Sequence, residues 1–395
     1  MPPSTSRALL LPVAALALMA PLGAADGTQL IGIGPAQLGA AGAGVASPQD
    51  STWIELNPAA LVELPQRVDA AVELIDAKAT LTPQGPLGNS AAGTMSDRVL
   101  VEAPDLTYSG QWGGGALGFG VYSVSGLAIE YPAGRSSALV NGTGFDRRAQ
   151  AETARASLVY SRTLIEQWSL GIALDGDYQQ FRSDALTGAG TETSGAYRLD
   201  HALGAGFAVA VYRHWAEASF GLCYTSRQWM QRLRDYGDLL ESSVDQPQEV
   251  QAGVAWRPLA WLEPMLDYRY IDWTSVKVFG DHANGFGWRN QNIVMLGANA
   301  YAAEGLVLRA GVAYGRSPIT DSEAFTNGLT PLITEWHAAL GASYVYDRHL
   351  SLQASYVHGF KKTLVDDGSD AGGLGKGTRI ALTVDSLALG LGYLF

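Results

Sequence analysis

Cysteine and charge are what this chain has least of. Its 395 residues include one cysteine, Cys223, which excludes an internal disulfide framework and any cysteine-rich zinc site. Charged residues make up 16%, against about 25% in an ordinary soluble protein. Lys and Arg number 26 against 38 Asp and Glu, a net charge of −12, which argues against a nucleic-acid binder with its basic face. Beyond the first residues, no run approaches the ~20 apolar positions of a transmembrane helix. The sequence holds no G-x-S-x-G elbow, no H-E-x-x-H motif and no P-loop, and its 6 histidines are scattered. Nothing assembles a nucleophile, a base and an oxyanion hole, so neither an enzyme nor a cofactor or metal site is expected. The stretch GIGPAQLGAAGAG, Gly32 to Gly44, loosely matches a dinucleotide fingerprint but follows no strand and opens no βαβ unit. Asp366, Asp367 and Asp370 read as a solvated loop, and His358 as structural.

What is present begins with a leader. Arg7, an apolar run from Ala8 to Ala20 and Gly23-Ala24-Ala25 describe a secretory signal peptide over residues 1–25, cleaved after Ala25. From Arg67 onward the hydrophobic period is two. Leu306, Leu308, Ala310, Val312 and Tyr314 alternate with a face that carries Arg309 and Gly311. Leu350, Leu352, Ala354, Tyr356 and Phe360 do the same, as do Leu170, Ile172, Leu174 and Tyr178 against Asp175, Asp177 and Gln179. These are strands with one apolar and one polar face.

Short links near Gln111, Thr163, Arg213, Arg257, Ala302 and Asp347 alternate with long Gly/Asp/Ser/Pro-rich ones. The count is fourteen strands, with both termini on the short-turn side. An even number, short turns at one end and long loops at the other are the pattern of a bacterial outer-membrane barrel. Trp112, Tyr160, Trp168, Tyr212, Trp215, Trp256, Trp261, Tyr301 and Tyr346 sit beside the short turns. Phe181, Trp273, Trp288, Trp336 and Phe360 sit near the long loops, which suggests the second of two interfacial girdles. The last strand is apolar at every second residue from Leu387 to Phe395, the form of the strand that such proteins present to the barrel-assembly machinery. The expected fold is therefore all-β, a fourteen-stranded antiparallel transmembrane barrel over residues 67–395. Residues 26–66 show no alternation and are expected to plug its lumen.

Two stretches look purposeful. The link Ser226–Ser243 concentrates Trp229, Met230, Leu233, Leu239 and Leu240 with Arg227, Arg232 and Arg234, as a surface capturing an amphipathic anion would require. Lys277 is a further cation candidate. In GALGFGVYSVSGLAIEYP, Gly126 interrupts a good strand, and a break in the ladder there would open the wall sideways.

The sequence GTQLIGIGPAQLGAAGAGVASPQDSTWIELNPAAL resembles the plug of FadL-type outer-membrane transporters of long-chain fatty acids and other hydrophobic compounds. Asn57-Pro58-Ala59 matches the family's turn in this place. SGLAIEY (Ser125 to Tyr131) is similar to its third strand, LRAGVAYGRSPI and ASYVHGF to its late strands, and the terminal Phe395 agrees. The resemblance implies passive uptake across the outer membrane, both termini being periplasmic. A hydrophobic ligand is captured among outer loops that include Ser226–Gln246, passes the plug, and exits through a kinked third strand, here at Gly126, into outer-membrane lipid beneath the lipopolysaccharide. The turn at Asn57 is expected beside Gly126, positioning the plug at the opening. The link Ser183–Ala196 departs from the pattern, being short and polar. Long-chain fatty acids are the first expectation for substrate, and aromatic or alkane hydrocarbons the alternative. A lipid hydrolase and a general pore are the readings from other classes.

Overall fold

Period-two patterning builds a wall of antiparallel strands in the computed structural model, which describes residues 26–85, 94–131, 147–183, 199–236, 240, 242–369 and 373–395. The leader, Leu239, Asp370 and nearly all of the link Ser183–Ala196 lie outside the described residues. The strands are β1 (Arg67–Thr82), β2 (Met95–Trp112), β3 (Gly115–Tyr131), β4 (Arg147–Ile165), β5 (Trp168–Ser183), β6 (Asp200–His214) and β7 (Ala218–Thr225). After β8 (Trp229–Met230) come β9 (Glu249–Trp256), β10 (Leu262–Ile271), β11 (Gln291–Ala303), β12 (Leu306–Gly315), β13 (Trp336–Val345), β14 (Leu350–Val365) and β15 (Arg379–Leu394). β8 is a two-residue strand folded onto β6 at Gly204 and Ala205, so the wall has fourteen members. β1 pairs with β15 from Arg67↔Leu394 to Thr82↔Arg379, and β5 pairs with β6, so the sheet closes on itself. Closure matters because lipid offers no partner for a free strand edge. Among the described residues no helix is long and apolar enough to cross a membrane.

Alternation sets which side chains meet lipid. Along β15, Leu387, Leu389 and Leu391 face outward, while Ala388 faces in and is buried. Trp112, Trp256, Trp261 and Tyr346 are exposed at the short-turn end, and Trp336 and Phe360 at the other. The expected second girdle is only partly present. Trp273 and Trp288 are 0% exposed and Phe181 is 6% exposed, so all three face the interior. The link after β10 causes this: a 3-10 turn (Trp273–Ser275) and a helical turn (Lys277–Gly280) fold it inward over the lumen. Tyr212, expected at the lower girdle, also points inward.

Residues 26–66 fill the lumen. Helix α1 (Gly34–Leu38) starts with Pro35 in its first turn, and its Gln37 locks the segment, with Oε1 accepting from Ile33 N and Nε2 donating to Thr52 O, each 3.0 Å. The glycines of Gly32–Gly44 are packing residues rather than phosphate ligands. A Cβ on Gly39 would lie 2.8 Å from the Cα of Gly341 in β13, and one on the facing wall residue Gly311 would lie 2.2 Å from Ala40 O. Small residues on both sides let plug backbone lie directly on wall backbone. Polar pins complete the seat: Asp267 Oδ2 of β10 accepts from Gly44 N (2.9 Å) and Val45 N (2.8 Å), and Asp69 Oδ2 of β1 accepts from Ser51 N (3.0 Å).

Candidate functional site

The wall has an unsealed seam. β2 pairs with β1 along nearly its full length, up to Leu81↔Met95, but with β3 only from Trp112↔Gly115 to Asp105↔Tyr122. β3 continues beside β4 to Tyr131↔Arg147, with a bulge between Ser123 and Ser125. Pro104, the next residue of β2, has no N–H to extend the ladder. Above it the two strands part for roughly 25 Å of strand, until Glu130 N donates to Asp97 Oδ2 at 2.7 Å. Gly126, expected at a side opening, lies in this stretch.

The start of the plug occupies the ladder positions that β2 leaves vacant. Leu30 N donates to Val124 O (3.0 Å), Gly126 N donates to Thr28 O (2.8 Å), and Gln29 bridges Ser125. This is strand addition to an exposed edge. From the opposite wall, Arg269 of β10 grips the same segment: Nη1 donates to Leu30 O (3.1 Å) and lies 3.5 Å from Asp26 Oδ2, while Nη2 donates to Glu249 Oε2 (2.6 Å). Residues 26–30 thus cross the lumen from β10 to the seam. Burial pushes the Asp26 carboxyl up to about 6; Arg269 opposes that shift and Glu249 adds to it.

Directly above lies an apolar chamber. Its walls include Phe181, Phe279, Phe286 and Trp288, and its floor includes Thr28 and Leu127. The rings pack on one another, Phe279 against Trp288 at 4.8 Å and Trp273 against Trp288 at 4.8 Å. Gly27 passes under them, where a Cβ would lie 2.5 Å from Trp273 Cζ2, so any larger residue would push the segment and the rings apart. A second small cavity lies between Asp97 and Val99 of β2 and Leu127–Ile129 of β3. Leu127 lines both, so one side chain separates the chamber from the seam. Their volumes are about 30 and 10 Å³. A benzene-binding cavity is on the order of 150 Å³, so neither space holds an aromatic ring as it stands. By contrast, a polar cavity of about 330 Å³ opens below the plug among Ser47, Glu63, His214, Arg257 and Glu263, on the short-turn side.

The residues expected from sequence are distributed differently. Asn57 does cap the 3-10 turn Pro58–Glu63, its Oδ1 accepting from Ala59 N at 3.1 Å. It is not beside Gly126, however. Its Nδ2 donates to Val45 O (2.7 Å) and reaches Val211 O of β6 (3.4 Å), and Gly171 of β5 lies against Pro58 and Ala59. The turn anchors the plug on β5–β7, and the seam is held by residues 26–30. In the link Ser226–Ser243, Met230, Leu233 and Leu240 are buried in packing over β5 and β6, while Trp229 is exposed. Arg227 pairs with Asp245 at 3.8 Å, Arg232 donates to Leu240 O (3.0 Å), and Arg234 is exposed. None of these lines the chamber; Val244, the residue after Ser243, does. Sequence reading missed Phe279, Phe286 and Arg269 because nothing local marks a loop that folds inward or a strand residue that reaches the plug.

No protein-family model matches the sequence, and comparison with curated proteins finds no match. Solved structures do match. The toluene transporter TodX of P. putida superposes with a TM-score of 0.72 at 14% identity, over 92% of this chain and 99% of that one. A FadL homologue of Pseudomonas aeruginosa gives 0.68 at 16%, over 93% and 100%, and the Ralstonia pickettii toluene transporter TbuX gives 0.66 at 14%, over 92% and 99%. At such identities the likeness concerns architecture. The chain has the fold of FadL-type outer-membrane channels, a fourteen-stranded barrel closed around an N-terminal plug.

Proposed function

We propose that this protein carries hydrophobic small molecules passively across the bacterial outer membrane and releases them sideways into lipid through the seam between β2 and β3. The observation that carries this reading is Leu127, which lines both the apolar chamber and the cavity at the unladdered stretch of wall. An apolar solute that leaves there passes from ring-lined protein to hydrocarbon without crossing the polar cavity below the plug. Residues 26–30 form the gate: they complete the edge of β3 when docked and free it when released. No step consumes energy, so net flux follows the concentration gradient. Phe395 N donates to Gln66 O at 3.0 Å, which places the end of the chain beside the start of β1 at the short-turn rim, the periplasmic side in this reading.

The ring-lined chamber favours compact aromatic compounds over extended chains. Toluene transporters are among the structures this fold matches. Long-chain fatty acids are the second reading, favoured by Arg182, a cation at the chamber wall. Uptake of labelled toluene and labelled oleate by cells with and without the protein tests both. The expected result is protein-dependent accumulation of toluene; if neither compound accumulates faster, the transport reading fails.

A further inference from the structure

On the outside of the wall, at its short-turn rim, an arginine sits between two indoles. The outward positions of β6 run Phe207, Val209, Val211 and Arg213, so Arg213 ends an apolar stripe just before the turn. It lies opposite Trp168 of β5 on one side and Phe220 of β7 on the other. Its guanidinium carbon is 4.8 Å from the ring centre of Trp168 and 4.5 Å from that of Trp215, and the two indoles meet edge to face at 6.5 Å. Trp168 in turn packs on Phe220 at 6.4 Å. Rings in this arrangement hold a planar, weakly hydrated cation by its faces and fix its orientation.

What the rings do not supply is an acceptor. Arg213 Nε is buried without a partner, and among the described residues its guanidinium has neither a hydrogen bond nor an ion pair. Arg162, the outward residue of β4 opposite Leu170, is exposed and lacks both as well. Outward arginines elsewhere are matched to carboxylates: Arg98 to Asp76 at 2.8 Å, Arg148 to Glu130 at 2.7 Å, and, at the same rim, Arg257 to Glu263. An arginine that only extended its head into water would gain nothing from an aromatic cradle. A guanidinium held by its faces with its N–H groups unspent fits a bidentate oxyanion. The end of the apolar stripe is the level of lipid headgroups. The short-turn rim is the periplasmic side in the reading above, where the leaflet is phospholipid rather than lipopolysaccharide.

We infer that Arg213, cradled by Trp168 and Trp215, docks the phosphate of an anionic phospholipid of the periplasmic leaflet, with Arg162 as the neighbouring cation. The acyl chains would lie along Leu170 and Val211. From the uptake reading this takes only the orientation of the barrel.

The test is native mass spectrometry of the purified full-length protein in detergent, titrated with dioleoyl phosphatidylglycerol, dioleoylglycerol and lipid A. The first two share their chains and differ in the phosphate, and the third carries the phosphates of the opposite leaflet. A hydrogen bond between charged groups is worth about tenfold in affinity. Phosphatidylglycerol is therefore expected to bind the wild type about tenfold tighter than dioleoylglycerol, and the ratio should fall toward one in Arg213→Gln. Arg213→Lys keeps the charge but loses the planar fork, so it should retain only part of the ratio; it keeps the test decisive if Arg213→Gln fails to assemble. Equal binding of the two lipids by the wild type, or an unchanged ratio in either variant, overturns the inference. Arg213-dependent binding of lipid A in preference to phosphatidylglycerol overturns it together with the orientation. Toluene uptake by cells is read separately: Arg213 lines neither the chamber nor the seam cavity, so failure of uptake leaves this inference standing.

Discussion

Replacing Arg269 with Met should release the gate. In the docked state residues 26–30 are held by the Arg269 grip on Asp26 and Leu30 and by two backbone bonds to β3. Removing one partner of a buried ion pair costs about 3–5 kcal/mol, because the other charges remain buried and uncompensated. Each backbone bond contributes about 1 kcal/mol net. With roughly 6 kcal/mol of docking energy, about one molecule in twenty thousand is released at any moment; with the remaining ~2 kcal/mol the fraction rises to about 3%. A reporter cysteine at Gln29, which is 7% exposed when docked, reads this directly, since the native Cys223 is buried. Its reaction with a water-soluble thiol reagent at pH 8 should be about 10²- to 10³-fold faster in the Arg269→Met background, and toluene uptake should rise with it. An unchanged labelling rate would refute the argument that Arg269 holds the segment.

Three further outcomes are expected. The raised Asp26 pKa means that the docked segment binds a proton more tightly than the released one, so docking is strongest below about pH 4 and weakens as pH rises through about 6. A spin label at Gln29 should therefore be more mobile at pH 7.5 than at pH 4.5, and the opposite trend would contradict the burial argument. In Gly171→Ala the new Cβ would lie 2.3 Å from Ala59 N and 2.5 Å from Pro58 C, backbone that cannot rotate away. Overpacking of about 1–3 kcal/mol should loosen the plug and raise ion leak in planar bilayers, whereas wild-type conductance would show that the contact yields. Asn57→Ala removes the cap and the bond to Val45 O, about 1–2 kcal/mol of turn stability. Amide exchange at Ala59–Leu61 should then accelerate about tenfold while the barrel assembles normally, and unchanged exchange would make the cap dispensable.

Sequence and structure agree where the physics is local. Alternation along β12, β14 and β15 identified wall strands because lipid and lumen impose period two on each strand separately. The Asn57-Pro58 turn was legible for the same reason, since a cap is a matter of three residues. What escaped was decided by pairing. The seam depends on where β2 stops matching β3; Pro104 hints at it, but only the register shows it. Trp273 and Trp288 look like interfacial aromatics until the link after β10 is seen to fold inward. Leu233 and Leu240 look like an exposed binding patch until their loop is seen packed on β5 and β6. Arg269 is one inward position among many on alternating strands, and its partner Asp26 lies 243 residues away.

Lateral release requires that residues 26–30 leave β3 when a molecule exits. Gln29 and Ser125 face each other across the short ladder at the seam, and paired cysteines there would lock the segment to the wall. In the Gln29→Cys, Ser125→Cys variant, oxidation should abolish protein-dependent uptake of labelled toluene and reductant should restore it, with the barrel folded throughout. Uptake that continues at the wild-type rate with the disulfide formed would contradict lateral release at this gate.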